Sequence, residues 1–441
     1  MSGRDRFGIA WRPELGAGLL SHPEQVDVTE IMLEHVGRAQ PRQQRAFETL
    51  CAQLPAWIHG TTLGVAGASG LADAAVERCA RVVNRMQPAG WSEHLAFVRA
   101  AGVEIGHLAA PPRTPASVEM TAGSLRRVAG VVGAMPLVEN VATMMVPAGS
   151  TLTEPEWLRG VLELSGAELL LDLHNLYSNA VNEGEDATSR LLALPLERVR
   201  QVHIAGGRWV GPRGRERRLD DHLHPTPREV FDLLEILAAH HAQPLTVIVE
   251  RDGPQPPVGE LLGEVALARQ AVARGRMCAP LHAREAPALA AVETWLVAAT
   301  PAARQQQAAL ESLLARSFVD RNALEQLLAD PRSAALSAGL EPEQAEALLA
   351  LDDTGMRLAF QSFQRKRSPH GRGGASAPAA VWSTGEGRAP PPTGSFVKIG
   401  AGEDRLNPLT QAPASADHSG SSRRFRQVTT VASRGEDPER Y

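Results

Sequence analysis

Along the first part of the chain, short apolar runs end in polar residues of one chemical kind. Leu169-Leu170-Leu171 runs into Asp172, His174 and Asn175, and Ile58 into His59. Trp91 precedes Glu93 and His94; Pro136-Leu137-Val138 leads to Glu139 and Asn140; Val199 and Val202 lead to His203; Val247-Ile248-Val249 leads to Glu250. Unbroken apolar runs of this kind read as strands buried on both faces. A carboxylate placed directly after one of them needs a partner, because its desolvation is costly. A single Asp there could simply cap the next helix. Repetition at strand after strand points instead to one shared site.

Helical patterns fill the intervals. Phe47, Leu50, Cys51 and Leu54 keep helical spacing, as do Ala75, Val76, Cys79, Val82 and Val83. Thr153-Glu154-Pro155-Glu156 has the form of a capped helix start, with Gly166 at the far end. Apolar runs through Ile9, Val28, Ile58, Trp91, Val138, Leu170, Val202 and Ile248 make eight strands, most of them separated by helices. That alternation predicts an α/β fold, a TIM-type (β/α)8 barrel within residues 1–280. In such a barrel the C-terminal strand ends share one face, so residues as distant as His59 and Glu250 can meet.

Beyond Gly253-Pro254 the pattern changes. Leu261 to Ala273 reads as a last barrel helix, and residues 286–365 as a helical domain. Its stripes are Leu289/Val292/Trp295/Leu296, Leu310/Leu313/Leu314 and Leu324/Leu327/Leu328. In residues 366–441, Pro, Gly, Ser and Ala dominate, which predicts a disordered tail, removable from Pro369 without loss of the barrel. A formal net charge of −5 over 441 residues gives no reason to expect a nucleic-acid partner. Cys51, Cys79 and Cys278 are too few and too scattered for a disulfide framework or a cysteine zinc site. No apolar run approaches the ~20 residues of a membrane span, and residues 1–12 lack a signal-type apolar stretch. The expectation is a cytoplasmic protein with no membrane partner.

The strand ends and one later loop supply nine metal-type donors: His59, His94, Glu139, Asp172, Asn175, His203, Asp220, His222 and Glu250. All offer nitrogen or oxygen, which suits Fe, Mn, Zn or Co and disfavours a structural zinc. So many donors exceed the needs of one ion. Several carboxylates in one cleft repel each other unless cations compensate. Not every neighbour belongs. His174 reads better as a supporting or packed imidazole, and Glu93 as facing away from His94. Asp221 and His224 read as solvated. Arg208, Arg213, Arg215, Arg217 and Arg218 form either a solvated loop or a clamp for an acidic peptide.

The segments SEH (Ser92–His94), LVEN (Leu137–Asn140), LLLDLHNLY (Leu169–Tyr177), QVHIAG (Gln201–Gly206), DDH (Asp220–His222) and VERD (Val249–Asp252) resemble, in order, the multinuclear non-heme iron-dependent oxidases. The resemblance runs from about Phe7 to Ala273. It implies a barrel with two or three irons, mixed Fe(II)/Fe(III), and O2 as co-substrate. It further implies oxidation of a ribosomally made precursor peptide, usually at cysteine, often with a separate leader-binding partner protein. Carried over, His59, His94 and Glu139 surround one iron. Asp172 and His203 hold a second that shares Glu139, and Asn175, Asp220, His222 and Glu250 hold a third. Glu139, Asp172, His203 and Asp220 are the residues placed closest to the chemistry. Three positions depart from the family pattern: His174 where Asn is usual, Gly207 where a second His often stands, and Arg251 where Trp is common. Two other readings remain at this stage. One is a divalent-metal isomerase or phosphodiesterase of barrel type, which needs no oxygen. The other is a metal-bearing scaffold that binds peptide without catalysis.

Overall fold

The computed structural model describes residues 3–278 and 299–367. Eight parallel strands close into a barrel: β1 (Arg6–Ala10), β2 (Val28–Met32), β3 (Ala56–Gly60), β4 (Gly90–His94), β7 (Leu137–Glu139), β8 (Glu168–Asp172), β9 (Val199–Ile204) and β12 (Thr246–Val249). β1 pairs with both β2 and β12, which leaves no free edge. Side chains two apart on a strand share a face. Val28 and Glu30, Trp57 and His59, Gln201 and His203, and Ile248 and Glu250 therefore point the same way, apolar or amide groups below and ionisable ones above. Gly90 makes room for this filling: a Cβ there would stand 2.2 Å from the Trp57 ring. The register sets His94 beside Glu139 and Asp172 beside His203.

Helices enclose the barrel and bury a continuous apolar shell that includes Leu125, Val128, Leu158, Val161, Leu162, Leu234 and Val265. Their ends follow the chain's local chemistry. Thr153 accepts the Glu156 amide while the Glu156 side chain returns to Thr153, and Gly166 closes helix Glu154–Ser165 in the left-handed conformation. Asp172 caps helix Leu173–Glu183 by accepting the Asn175 amide.

Two hairpins depart from the sequence reading. The fourth strand stops at His94 rather than running to Phe97. β5 (Phe97–Ala100) and β6 (Val103–Ala109) then form an antiparallel pair outside the barrel. Its tight turn, Ala101-Gly102, has positive φ at both residues, a hairpin geometry that Ala signals poorly. The Arg-rich loop is likewise a hairpin, β10 (Gly206–Val210) with β11 (Arg217–His224).

Among the described residues, five further α-helices follow: Pro301–Val319, Arg321–Ala329, Pro331–Ser337, Pro342–Ala347 and Asp353–Arg367. They share an apolar cluster with the β5–β6 hairpin, in which Phe97, Ile105 and Ala109 pack with Leu310, Leu314, Phe318, Phe360 and Phe363. Polar ties reinforce it: Glu311 accepts the Ala68 amide, Gln307 donates to the Pro112 carbonyl, and Arg217 pairs with Asp352. Barrel and helices lie in one compact unit. The Leu289/Val292/Trp295/Leu296 stripe and residues 368–441 lie outside the described residues, and Lys366 and Arg367, expected to begin the tail, instead end helix Asp353–Arg367. No helix among the described residues is long and apolar enough to cross a membrane.

Candidate metal centre

The barrel's upper layer opens into a cavity of about 160 Å³, with His59, His94, Glu139, Asn175, Asp220, His222 and Glu250 on its walls. Asp172 and His203 lie just beneath, fully buried. All nine donors named from the sequence therefore meet at one place. Three groups have ligand atoms within 4.8 Å of one another: His59, His94 and Glu139; Glu139, Asp172, His203 and Glu250; and His174, Asp220 and His222. Glu139 belongs to two. Its Oε2 lies 3.3 Å from His59 Nε2 and 3.1 Å from His94 Nε2, and its Oε1 3.4 Å from His203 Nδ1. Glu250 sits between the second and third groups, 3.2 Å from His203 Nδ1 and 3.4 Å from His222 Nδ1.

Each imidazole is turned by a contact on its far nitrogen. His94 Nδ1 is 3.0 Å from the Gly60 carbonyl, which can only accept, so Nδ1 carries the proton and Nε2 presents its lone pair. His59 Nδ1 meets Ser92 Oγ at 2.8 Å. His203 is oriented the other way: Nε2 lies 3.0 Å from Glu30 Oε1, leaving Nδ1 for the cavity side. Partners of this kind on the far nitrogen are typical of metal-binding histidines. Asn140 braces the next strand end, donating to the Asp172 carbonyl and accepting its amide, and Asn175 Nδ2 donates to the Asn140 carbonyl.

What remains is a set of buried atoms that form no well-aligned hydrogen bond, several of them standing close only to other members of the set: Glu139 Oε2, Asp172 Oδ2, His174 Nε2, Asn175 Oδ1, His203 Nδ1 and His222 Nε2. Burying one such atom unsatisfied costs about 1–3 kcal/mol. Six at one focus is the arrangement expected of a donor set shaped around cations, so the residues fit the metal group that the sequence resemblance implies. The charge balance agrees. Burial opposes ionisation throughout, yet His94, His203 and His59 hold Glu139 below its usual range, and His222 and His203 hold Glu250 well below it. Against the same burial, Glu30 and Glu139 push His203 well up, as Asp220 and Glu250 do His222. Asp172 goes the other way, raised by burial and by Asp220 and Glu139 against the pull of His222.

His174 is fully buried within the third group, and its Nδ1 lies 2.6 Å from Asp220 Oδ1, the contact of an imidazole that supports a donor carboxylate. The strand ends at Asp172, so helical spacing rather than strand alternation directs the next residues. Gly207 makes the space: a Cβ there would stand 2.7 Å from His174 Cε1 and 2.1 Å from the Leu219 carbonyl oxygen. His222 itself has φ of +54°, strained for a non-glycine and found preferentially at functional positions.

Other expected neighbours sit elsewhere. Glu93 turns away, accepting the His94 and Leu63 amides, and its carboxyl is raised by burial and Glu34. Asp221, expected to be solvated, is instead buried on the cavity wall, where Arg208 pairs with it at 2.9 Å. Arg251 is buried against Glu264 at 2.5 Å, outside the donor set. Glu30 and Gln201, which bond each other beneath His203, were missed from sequence. So was Arg12, buried 3.6 Å from Glu250 and 2.6 Å from Asp252. A lone Glu inside the buried strand VTEIM was the one available signal for Glu30.

Three comparisons bear on this centre. A family model described as RiPP precursor modification enzyme MbnB/TglH/ChrH matches residues 6–273. A UPF0276 protein of Streptomyces avermitilis is 33% identical over 280 residues, covering 60% of this chain and 54% of that relative. A UPF0276 protein of Caulobacter vibrioides is 30% identical over 273 residues, covering 62% of this chain and 96% of the relative. Among solved structures, D-psicose 3-epimerase from Clostridium cellulolyticum is similar at 13% identity and TM-score 0.39, covering 62% of this chain and 99% of that one. A xylose isomerase-like TIM barrel protein from Mycobacterium smegmatis in complex with magnesium is similar at 9% identity and TM-score 0.41, covering 61% and 97%.

Proposed function

This chain belongs to the MbnB/TglH/ChrH family of RiPP precursor modification enzymes, and from that premise we propose that it is a multinuclear iron-dependent, O2-using oxidase of a ribosomal precursor peptide, acting at cysteine. The convergence of unpartnered buried donor atoms at the barrel mouth is the observation that carries this reading. His59, His94 and Glu139 would hold one iron. Asp172 and His203 would hold a second, with Glu139 shared. Asp220, His222, Asn175 and Glu250 would hold a third, and Glu250, 3.2 Å from His203 Nδ1 as well as 3.4 Å from His222 Nδ1, reaches toward both. The iron, when bound, supplies the redox chemistry, with O2 as co-substrate and open positions for a peptide thiolate.

The chain's own residues do the rest. Ser92, the Gly60 carbonyl and Glu30 fix three imidazole rings, so that each donor lone pair faces the cavity before any ligand arrives. Preset geometry of this kind avoids reorganisation during the reaction. Asn140 locks the ends of β7 and β8 together. The apolar wall, with Met144, Met145, Phe318 and Phe363, excludes water around a bound peptide. A leader-binding partner protein fits the same reading.

The test is co-expression with Cys-containing candidate precursor peptides, followed by mass spectrometry. A mass change at a cysteine that requires O2 and iron is expected. An unchanged peptide, or turnover of another substrate under anaerobic conditions with zinc or manganese, would favour the isomerase or phosphodiesterase chemistry instead.

A further inference from the structure

The family match ends at residue 273, yet the cavity does not. Leu314 and Phe318 from helix Pro301–Val319 line it, as do Ala359, Ser362, Phe363 and Lys366 from helix Asp353–Arg367. The latter four are spaced three, four and seven apart, which makes them one helical face. That face is turned to the same space as His94, Glu139 and Glu250. The later helices are thus part of the site and not only a brace for the barrel.

Two cations stand on this cavity that form no ion pair among the described residues. Of the arginines in the β10–β11 hairpin, Arg208 pairs with Asp221 and Arg217 with Asp352. Arg218 faces the cavity, and its guanidinium lies 5.8 Å from the ring centres of both Tyr177 and Trp209. Its Nε is buried and has no hydrogen-bond partner. Among the described residues no carboxylate pairs with Arg218 or with Lys366. Lys366 is half-buried on the cavity wall, on the far helix. A stacked guanidinium with free donors is suited to a planar carboxylate, and a half-buried ammonium to any anion. Phe318, Phe363, Met144 and Met145 give the remaining wall an apolar character.

We propose that this cavity selects an acidic peptide: Arg218 and Lys366 bind carboxylates flanking the reacting residue, and the Phe363 face holds an apolar side chain beside it. This specificity site rests on the peptide-modifying reading above and adds to it the class of sequence recognised. It also assigns the helices beyond residue 273 a share of substrate selection.

The experiment is selection from a displayed random peptide library carrying one fixed Cys, using the full-length, metal-loaded protein. Wild type, Lys366→Glu, Lys366→Met and Arg218→Glu are compared, with iron content measured for each. Wild type is expected to enrich Asp or Glu near the Cys. An acidic peptide so selected should lose roughly tenfold in affinity in Lys366→Met. Both Glu variants should shift enrichment toward Lys or Arg at unchanged iron content. Absence of an acidic preference in wild type, or the same preference in all four proteins, would overturn the proposal. The two readings fail separately. Acidic selection without any O2-dependent mass change sinks the oxidase reading alone, and O2-dependent modification without acidic selection sinks this one alone.

Discussion

The carboxylate of Asp172 does two jobs that pull on different oxygens. Oδ1 accepts the Asn175 amide as a helix cap, while Oδ2 stays buried and unpartnered among His222, Glu139 and His203. Replacing it with Ala removes a cap worth about 1 kcal/mol, and also removes a buried carboxylate that repels its neighbours. Asp172→Ala should therefore keep the fold, seen by circular dichroism, and lose metal and activity together. Full metal content and turnover in this variant would show that the central strand end is misassigned. Glu30 acts at one remove, through His203. Glu30→Ala should weaken metal retention by roughly 10–100-fold, read by chelator competition, with little change in secondary structure. Unchanged retention would mean that the His203 ring is held by other contacts. The strand-end donors were legible in sequence because a parallel barrel brings every C-terminal strand end to one face. Glu30 was harder to see: it lies mid-strand, and being the lone Glu of the buried strand VTEIM is the one local sign of it.

At the scale of elements, the β5–β6 hairpin is what the later helices stand on. Its turn carries Ala101-Gly102 instead of an Asn-Gly signal, so its strands were not separable from β4 by sequence pattern. Phe97 is fully buried in the cluster it shares with Leu310, Phe318 and Phe363. Phe97→Ala should cost about 3–5 kcal/mol in thermal or denaturant unfolding, the range for large aromatic truncations. A loss below about 1 kcal/mol would mean that the helices do not depend on this platform. Helix Pro301–Val319 is also tied to the barrel by Glu311, whose carboxylate accepts the Ala68 amide and a Gln307 amide proton. Burial outweighs both bonds and pushes this carboxyl up to about 7. The unfolded chain releases that proton near 4.5, the folded one near 7, so the folded state binds more protons between them. Stability should fall as pH rises through this window, by at most roughly 3 kcal/mol, and fall no further above it. Subtracting Glu311→Gln from wild type isolates this slope from every other titrating group. Parallel stability curves for the two proteins would contradict it.

In the whole molecule, the closed eight-stranded barrel was read from the alternation of apolar runs and helical stripes, and it is present. The helical character of the region after the barrel was equally visible. Its docking site was not, because the apolar stripes of Leu310/Leu314 and Leu324/Leu327 say that a face is buried without saying against what. A chain ended at Pro280 would leave Phe97, Ile105 and Ala109 in water. It should show lower thermal stability than the full-length protein and a weaker hold on acidic peptide, since Phe318, Phe363 and Lys366 go with the helices. Unchanged stability together with unchanged peptide affinity would remove both roles. All of this depends on the barrel mouth being a multinuclear iron site, and elemental analysis of protein purified without oxygen tests that directly. The expected result is iron at more than one ion per chain. Zinc alone, or less than one metal ion per chain, would contradict it.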